Sequence, residues 1–271
     1  MGSSRLPGKV LLEIAGKPML VRVVERTRLA RSVDEVVVAT TSEPGDDPIA
    51  ELCGRHGFLC FRGSLFDVLD RYYQAACRFE AGTIIRITAD CPLIDPLVID
   101  RTAGAFGGEV QPQDCVLPTG EALSLENPNF GTFDFAANRL PPPWGRTYPV
   151  GLDTEICTFQ GLETAWNDAH EKHQREHVMP FFYDQLQRFR VLLVNHTSDY
   201  GSLRWTVDTP SDLELLRQIY AHFPGRDDFS WLEVLGLFER HPELAAINTG
   251  VKAKDYRQVD DRQSEEPEVL A

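Results

Sequence analysis

The stretch from Ile84 to Asp95 reads IIRITADCPLID and constrains the fold more than any other part of the sequence. It begins with a run rich in isoleucine, and such β-branched runs are typical of a strand buried in a sheet. Pro92 has no N–H for a ladder, so the strand has to end near Asp90. Ligands of open α/β sheets bind at the carboxyl ends of strands. Asp90 is therefore either an oxygen ligand for a hard cation such as Mg²⁺ or an aspartate that only caps a turn.

Strand and helix signals alternate along most of the chain. Helix starts are marked by Asp47 before a proline and by capping boxes, one of Ser64 with Asp67 and one of Thr209 with Asp212. The predicted helices cover 19–30, 48–56, 65–81, 96–106, 159–169, 176–186, 210–223 and 230–239, and the predicted strands 33–39, 58–61, 84–88, 147–157, 189–195 and 203–207. The alternation predicts an α/β fold with a doubly wound, mostly parallel sheet.

Two segments lack this pattern. The stretch at about 109–145 is rich in proline and has little periodicity, which predicts an irregular excursion over the site or a partner contact. From residue 251 the chain is polar and ends in SEEPEVLA, which predicts a disordered acidic tail at 251–271. We therefore expect a single domain over 1–250.

Charge and cysteine usage narrow the function classes. A net charge of −14 argues against a nucleic-acid or anionic-membrane binder, because both need a positive field. The six cysteines form no CxxC pair, which suits reduced thiols. No run reaches the ~18 apolar residues of a membrane span, and the N-terminus lacks the apolar core of a signal peptide. We expect a cytoplasmic protein.

Two further motifs carry charge to the expected site. The first nine residues, MGSSRLPGK, form a loop of small residues with Arg5 and Lys9, suited to wrapping an anion, although a disordered basic terminus is the alternative. Asp208 follows the apolar run LRWTV and precedes a proline turn. Two carboxylates from separate strands suit a phosphate-bridging Mg²⁺, whereas Asp208 by itself also fits simple helix-start chemistry.

These motifs resemble a known family. GSSRLPGK, from Gly2 to Lys9, resembles the signature loop of nucleotide-sugar pyrophosphorylases and CMP-sugar synthetases. Followed by TADCPLID, RTYPVGLDTEI, REHV and LRWTVDTPSDLEL, it is similar to the spore-coat polysaccharide biosynthesis cytidylyltransferase family, a relative of the CMP-sialic acid and CMP-KDO synthetases. The resemblance spans roughly residues 2–223. It implies a nucleotide-diphospho-sugar transferase fold, Mg²⁺ as cofactor and a possible homodimer.

The resemblance also implies a reaction and its residues. A sugar or sugar-like acid or phosphonate would attack the α-phosphorus of CTP and release pyrophosphate, for surface polysaccharide. Arg5, Lys9, Asp90 and Asp208 are the implied catalytic residues, with the two aspartates as metal ligands. The implied nucleotide-binding positions are Gly2, Ser3, Ser4, Leu6, Gly8, Ala39, Arg62, Gly63, Ser64 and Ala89. The implied acceptor-side positions are Glu155, Arg175 and His177.

Two alternatives stay open at this point. Relatives carry a hydrophobic strand directly before the signature loop, whereas this chain begins inside the loop, so we expect a sheet that lacks the first strand. A non-catalytic nucleotide-binding remnant is the alternative that this feature motivates. A metal-dependent glycosyltransferase of similar fold is the other, although such enzymes usually carry an aspartate pair separated by one residue, and Asp90 is not so paired.

Overall fold

The computed structural model describes residues 2–3, 5–109, 114–120, 123, 132–251 and 257–259, so most of the predicted tail lies outside the described residues. Its helices are α1 (Met19–Thr27), α2 (Asp47–His56), α3 (Val68–Arg78), α4 (Pro96–Phe106), α5 (Phe159–Asp168), α6 (Lys172–His177), α7 (Pro180–Asp184), α8 (Pro210–Ala221) and α9 (Trp231–Arg240). Its strands are β1 (Glu13–Ile14), β2 (Lys17–Pro18), β3 (Val37–Thr41), β4 (Leu59–Gly63), β5 (Thr83–Arg86), β6 (Cys115–Val116), β7 (Phe135–Ala137), β8 (Arg139–Leu140), β9 (Gly145–Arg146), β10 (Glu155–Thr158) and β11 (Val191–Val194). None of the helices in these ranges has the length and hydropathy of a membrane-spanning segment.

The central sheet has five strands in the order β5-β10-β7-β11-β6. Strand β10 is antiparallel to both β5 and β7, and β11 is parallel to β7, so β5, β7 and β11 run in one direction. Strand β6 closes one edge in the opposite direction, and β3 and β4 form a separate parallel pair. The predicted doubly wound, mostly parallel α/β class is confirmed. The expected absence of a first strand stays a prediction.

Both faces of the central sheet are covered by apolar side chains. In β11, Val191 and Leu193 belong to the cluster that contains residues of α3, α5 and α7, whereas Leu192 and Val194 pack with the end of α4. Successive side chains of a strand point to opposite faces, so this alternation means that helices lie on both sides. A continuous apolar strand is what such a doubly covered sheet requires.

The segment around residue 136 corrects the prediction of an irregular excursion at 109–145. It contributes β7, which lies between β10 and β11 in the interior of the sheet, as well as β6 and β8. Other parts of the excursion, at 110–113, 121–122 and 124–131, lie outside the described residues. The three residues of β7, Phe-Ala-Ala, are completely buried but include no β-branched side chain. Strand propensity is therefore weak here, and burial decides the conformation.

The predicted strand at 203–207 is also corrected, because it forms only one parallel bridge, between Val150 and Arg204. Its backbone groups form hydrogen bonds with loop residues instead of with a neighbouring strand. The Trp205 N–H donates to Val150 O at 2.7 Å, and the Val207 N–H donates to Asp90 O at 2.9 Å. The segment is extended, as predicted, but its partners belong to loops. One of those bonds ties the segment directly to Asp90.

The predicted helix at 176–186 is wrong, because the chain forms the two short helices α6 and α7 there. Pro180 has no N–H with which to continue the ladder of α6. Val178 takes φ 71° and ψ −58° between the two helices, an unusual conformation for a β-branched residue. The side chain of Val178 is fully buried, so packing stabilises this break.

Helix caps agree with the predictions at some starts and differ at others. The predicted range of α4 and the Thr209–Asp212 capping box of α8 are confirmed. Helix α2 starts one residue earlier than predicted, because Asp46 and not Asp47 is its N-cap.

Helix α3 begins after Asp67, whose carboxylate accepts from the N–H of residue 70 at 2.8 Å. Ser64 accepts from the Asp67 N–H at 3.1 Å and so orders the turn before the helix.

We expect Gly151→Ala to lower the free energy of unfolding by about 1–3 kcal/mol. Gly151 has φ 108°, and a Cβ there would lie 2.7 Å from the backbone N of Thr206. Backbone atoms cannot move aside as a flexible side chain does. Urea unfolding measures the change, with Gly45→Ala as the control, since nothing lies within 4 Å of a Cβ at Gly45. Equal stability of the two variants would contradict the close packing described here.

Candidate active site

The N-terminal loop is shaped so that its basic residues reach the core. Gly8 takes the left-handed conformation, with φ 67° and ψ 13°, which glycine adopts without strain. Ser3 Oγ accepts from the Leu6 N–H at 3.3 Å, and Leu6 packs against the apolar cluster that contains residues of α8 and α9. Gly2 is exposed, and the predicted Ser4 lies outside the described residues. A short 3₁₀ helix, Lys9–Leu11, follows the turn.

Lys9 brings the two predicted aspartates together. Its Nζ lies 2.7 Å from Asp90 Oδ2, 2.8 Å from Asp208 Oδ1 and 2.8 Å from the carbonyl oxygen of Val207. An ammonium group has three protons to donate, so these contacts use all of them. Only 13% of the Lys9 side chain is exposed. The structure thus places Lys9, Asp90 and Asp208, which are far apart in sequence, in one cluster.

Asp90 is held in place by its neighbours. The Thr88 hydroxyl donates to Asp90 Oδ1 at 2.7 Å, and the Thr206 hydroxyl donates to Asp90 O at 3.0 Å. The Val207 backbone bond described above adds a second contact to the same carbonyl oxygen. The ends of the two chain segments are therefore fixed to each other, so both carboxylates keep their relative position.

Asp208 is surrounded by positive charge. Its Oδ2 lies 2.6 Å from Arg204 Nη2 and 3.0 Å from Arg5 Nη2. Burial acts to raise the pKa of Asp208, but Lys9, Arg204 and Arg5 outweigh it and lower that pKa to about 2. Burial likewise acts to lower the pKa of Lys9, but the charges of Asp90 and Asp208 raise it above its ordinary value. The Lys9 ammonium and the Asp208 carboxylate are therefore both charged at neutral pH.

Arg204 and Asp212 support the site, although sequence reasoning gave them no role in it. Arg204 Nε pairs with Asp212 Oδ1 at 3.0 Å, and Asp212 is fully buried. The Asp208 N–H donates to Asp212 Oδ2 at 3.0 Å, and Asn248 Nδ2 donates to Asp212 Oδ1 at 2.8 Å. Asp212 thus orders both the backbone of Asp208 and the guanidinium beside it. The spacing of four residues between Arg204 and Asp208 gave no usable signal, because the segment 203–207 is extended and not helical.

The stabilising effect of Asp208 should depend on pH. Its pKa falls from 3.8 to about 2 on folding, so its contribution is complete above pH 4 and is lost as the pH falls towards 2. We expect Asp208→Asn to lower the free energy of unfolding by about 2 kcal/mol at pH 6, and by about 1 kcal/mol less at pH 3. Urea unfolding at both pH values checks this, with the exposed Asp34→Asn as control. A pH-independent effect of Asp208→Asn would contradict the ion pairing.

The predicted base and ribose positions gather at one end of the β3–β4 pair. Ala39, Arg62 and Gly63 lie in these two strands, and Ser64 follows directly. Ala89 packs against the apolar cluster that contains side chains of α1, α2, β3 and β4. Because β3 and β4 are parallel, their carboxyl ends meet at one edge, where nucleotides bind in such sheets. The structure therefore brings these five positions to the same region.

Arg62 is fixed in orientation by the turn after β3. Its Nε donates to Thr41 O at 2.8 Å and its Nη2 donates to Glu43 O at 2.9 Å. Nη2 also lies 2.7 Å from Asp47 Oδ1. These contacts hold the guanidinium without any ligand, so a base bound beside it would meet a preorganised group.

On the acceptor side, Glu155 lies in a buried cluster of arginines. Glu155 is only 2% exposed, and it pairs across the strands with Arg86 of β5, with which it forms a hydrogen bond. Arg139 Nη2 lies 3.5 Å from Glu155 Oε1. The Nε atoms of Arg86 and Arg139 are buried and have no hydrogen-bond partner among the described residues. The one sequence signal for this cluster is a charged residue, Arg86, inside an apolar strand.

Asp153 is the second carboxylate of this arginine cluster. Arg146 binds Asp153 with both terminal nitrogens, at 2.5 and 3.1 Å, and Arg139 Nε lies 3.5 Å from Asp153 Oδ2. Burial, together with the charges of Asp90 and Asp153, raises the pKa of the Cys91 thiol well above its ordinary value. Cys91 itself stays a neutral thiol and is no nucleophile at neutral pH.

The two other predicted acceptor residues are engaged elsewhere. Arg175 Nε lies 3.0 Å from both carboxylate oxygens of Asp67, and its Nη1 donates to Trp166 O at 2.6 Å. It thereby ties α6 to the start of α3. His177 Nε2 lies 2.9 Å from Gln258 O, and burial lowers the pKa of its imidazole. Neither contact connects these side chains to the aspartates, so their part in substrate binding stays a prediction.

The residues fit a divalent cation. One oxygen of Asp90 and one of Asp208 lie within 2.8 Å of a single point, which the Lys9 ammonium occupies. Mg²⁺ bound beside phosphates takes one or two protein carboxylates and fills its shell with phosphate oxygens and water. The oxygen donors and the position of the ammonium between the two carboxylates match this requirement.

Comparisons with known proteins identify the family. A family model described as "Cytidylyltransferase" matches residues 1–132. The 3-deoxy-manno-octulosonate cytidylyltransferase of an Anaeromyxobacter species is 38% identical over 238 residues, which cover 81% of this chain and 94% of that protein. The spore coat polysaccharide biosynthesis protein SpsF of Bacillus subtilis is 28% identical over 254 residues, covering 90% of this chain and 93% of SpsF.

A solved structure extends the similarity to the fold. The structure of a cytidylyltransferase from Leptospira borgpetersenii superposes with a TM-score of 0.76 at 29% identity, covering 94% of this chain and 95% of that one. The similarity spans nearly the whole length of both chains. This chain belongs to the cytidylyltransferase family, which makes it a nucleotidyltransferase.

Proposed function

We propose that the protein is a Mg²⁺-dependent cytidylyltransferase that transfers CMP from CTP to a sugar-like acid or phosphonate and releases pyrophosphate. The observation that carries the proposal is the convergence of Asp90 and Asp208 on Lys9, with Arg5 beside them. In the transfer, an acceptor oxygen forms a bond to the α-phosphorus while the bond to the β-phosphate oxygen breaks. Such a reaction depends on positioning and on neutralising phosphate charge.

Each group has a distinct part in this proposal. Asp90 and Asp208 would hold the metal, which supplies charge neutralisation at the phosphates when it is bound. Arg5 and Lys9 would bind the triphosphate and stabilise the charge that develops on the leaving pyrophosphate. Arg62, fixed by its backbone contacts, would orient the nucleoside. The α-phosphate would then lie between the aspartates and the arginine cluster.

The charge of the arginine cluster supports an anionic acceptor. Three guanidinium groups, of Arg86, Arg139 and Arg146, face two carboxylates, of Asp153 and Glu155, which leaves an excess positive charge in a largely buried position. A buried unpaired charge is costly, and a bound anion would offset it. The Nε atoms of Arg86 and Arg139, which form no hydrogen bond among the described residues, are further donors. An acceptor with a carboxylate or phosphonate group satisfies both features.

Surface polysaccharide synthesis, a cytoplasmic location and a homodimer belong to the same proposal. The similarity to SpsF supports a part in surface polysaccharide synthesis. All six cysteines are free thiols, which suits a cytoplasmic location. The homodimer rests on the family resemblance.

Pyrophosphate release measures the proposed activity. The purified chain is incubated with Mg²⁺ and one of CTP, UTP, ATP or GTP, with paired acceptors that differ only in carrying a carboxylate or a neutral alcohol. We expect release with CTP and a sugar acid, and far less with the neutral partner sugar. Equal release with all four nucleotides, or with both acceptors of a pair, would contradict the assignment of substrate.

A further inference from the structure

The Lys9 ammonium lies where a cation bridging the two aspartates would lie. It contacts one oxygen of Asp90 and one of Asp208, and a third proton goes to the carbonyl oxygen of Val207. In the proposed function the same ammonium binds the triphosphate. It cannot make both sets of contacts, because its three protons are all in use. Lys9 must therefore exchange partners when the nucleotide binds.

The remaining carboxylate oxygens of the two aspartates have other partners. Asp90 Oδ1 accepts from the Thr88 hydroxyl, and Asp208 Oδ2 is bound by Arg204 and Arg5. Asp90 Oδ2 and Asp208 Oδ1, which a metal would need, are the two that Lys9 holds. A divalent cation has to displace Lys9 before it can bridge these oxygens.

The charge balance of the cluster also disfavours metal binding while Lys9 holds the two oxygens. The carboxylates of Asp90, Asp208 and Asp212 are matched by the positive charges of Lys9, Arg5 and Arg204 within one connected set of ion pairs. Among the described residues, these charges balance and leave no surplus negative charge to attract a dication. A metal placed on the same oxygens would also lie close to the ammonium, and like charges at such a separation repel strongly in a partly buried site.

We propose that Lys9 is an internal counter-ion, which occupies the metal position in the nucleotide-free protein and leaves it when a triphosphate offers new phosphate partners. The inference rests on the proposed function and adds an order to it: the metal and the nucleotide bind together, and neither aspartate binds metal well alone. Because coupling between two ligands is reciprocal, the nucleotide strengthens metal binding by the factor by which the metal strengthens nucleotide binding.

The test uses Mn²⁺ as a spectroscopic probe of the metal position in the full chain, without nucleotide. Electron paramagnetic resonance measures free Mn²⁺ during titration. We expect negligible Mn²⁺ binding to the wild type. The Lys9→Met variant should bind Mn²⁺ at least about 10-fold more tightly, which is within the usual range of such couplings. Adding Asp208→Asn to Lys9→Met should abolish the gain. Lys9→Gln gives a second variant should the apolar replacement not fold.

Lys17→Met is the matched control, because Lys17 also bridges two carboxylates, of Glu25 and Asp227, at 2.7 Å each. Asp227 keeps Arg22 as partner, so this variant should gain no Mn²⁺ binding. Tight Mn²⁺ binding by the nucleotide-free wild type, or an equal gain in Lys17→Met, would overturn the proposal.

A separate titration with α,β-methylene-CTP tests the proposed function. If the analogue fails to bind, CTP is the wrong substrate. The comparison of the nucleotide-free variants still decides the role of Lys9.

Discussion

Asp90→Asn should lower kcat/KM for pyrophosphate release from CTP by about 10²–10³-fold, the loss that follows removal of one key electrostatic group from an active site. The substitution keeps the shape of the side chain but removes its charge. It deprives the metal of one of two carboxylates and leaves Lys9 with a single anionic partner. Metal titrations should show that more Mg²⁺ is needed for half-maximal rate.

The exposed Asp34→Asn variant is the control for this experiment and should keep wild-type activity. Thermal unfolding of both variants shows whether the fold is intact, because Asp90 accepts backbone and side-chain bonds near the core. Full Mg²⁺-dependent activity of a folded Asp90→Asn variant would show that the metal position has been assigned to the wrong carboxylate.

Glu155→Gln should lower the free energy of unfolding by about 3–5 kcal/mol, the usual cost of leaving a buried charge without its partner. Glu155 is 2% exposed and is the anion shared by Arg86 and Arg139. A neutral amide leaves two guanidinium groups facing each other inside the protein. Equilibrium unfolding in urea measures the loss.

The comparison variant is Glu25→Gln, which removes one carboxylate partner of Lys17 at the surface. The side chains of that pair are 43% and 37% exposed, so its loss should cost no more than about 1 kcal/mol. If both variants lost the same small amount of stability, the arginine cluster would have to be solvated, and the argument for a buried anion site would fail.

Local sequence signals predicted the parts of the fold that local interactions determine. Helix α4 begins at a proline in its first turn with Asp95 as cap, and its predicted range agrees with the structure. The capping box of Thr209 and Asp212 likewise marks the start of α8. Strand β7 was not predicted, because three small or aromatic residues in a proline-rich segment carry no periodic pattern. Only tertiary packing makes them a strand.

The candidate site shows the same division. Asp90 and Asp208 were recognisable because each follows an apolar run and precedes a turn. Arg204 was not recognisable, since its role depends on a guanidinium that reaches Asp208 and the buried Asp212 together. The pairing of Glu155 with Arg86 joins strands whose paired residues are 69 positions apart in the sequence, and no sequence spacing encodes it. Contacts between distant segments define the site, and sequence patterns supply only their candidates.

Transfer of labelled phosphorus tests the central claim most directly. The purified chain is given Mg²⁺ and a sugar-acid acceptor with CTP labelled at either the α- or the γ-phosphorus, and products are separated by charge. We expect the α-label to appear in a new CMP–acceptor conjugate and the γ-label in pyrophosphate, in equal amounts. Neither labelled product should form with the Asp90→Asn variant. Label that stays in CTP, or α-label released only as free CMP or CDP, would contradict it.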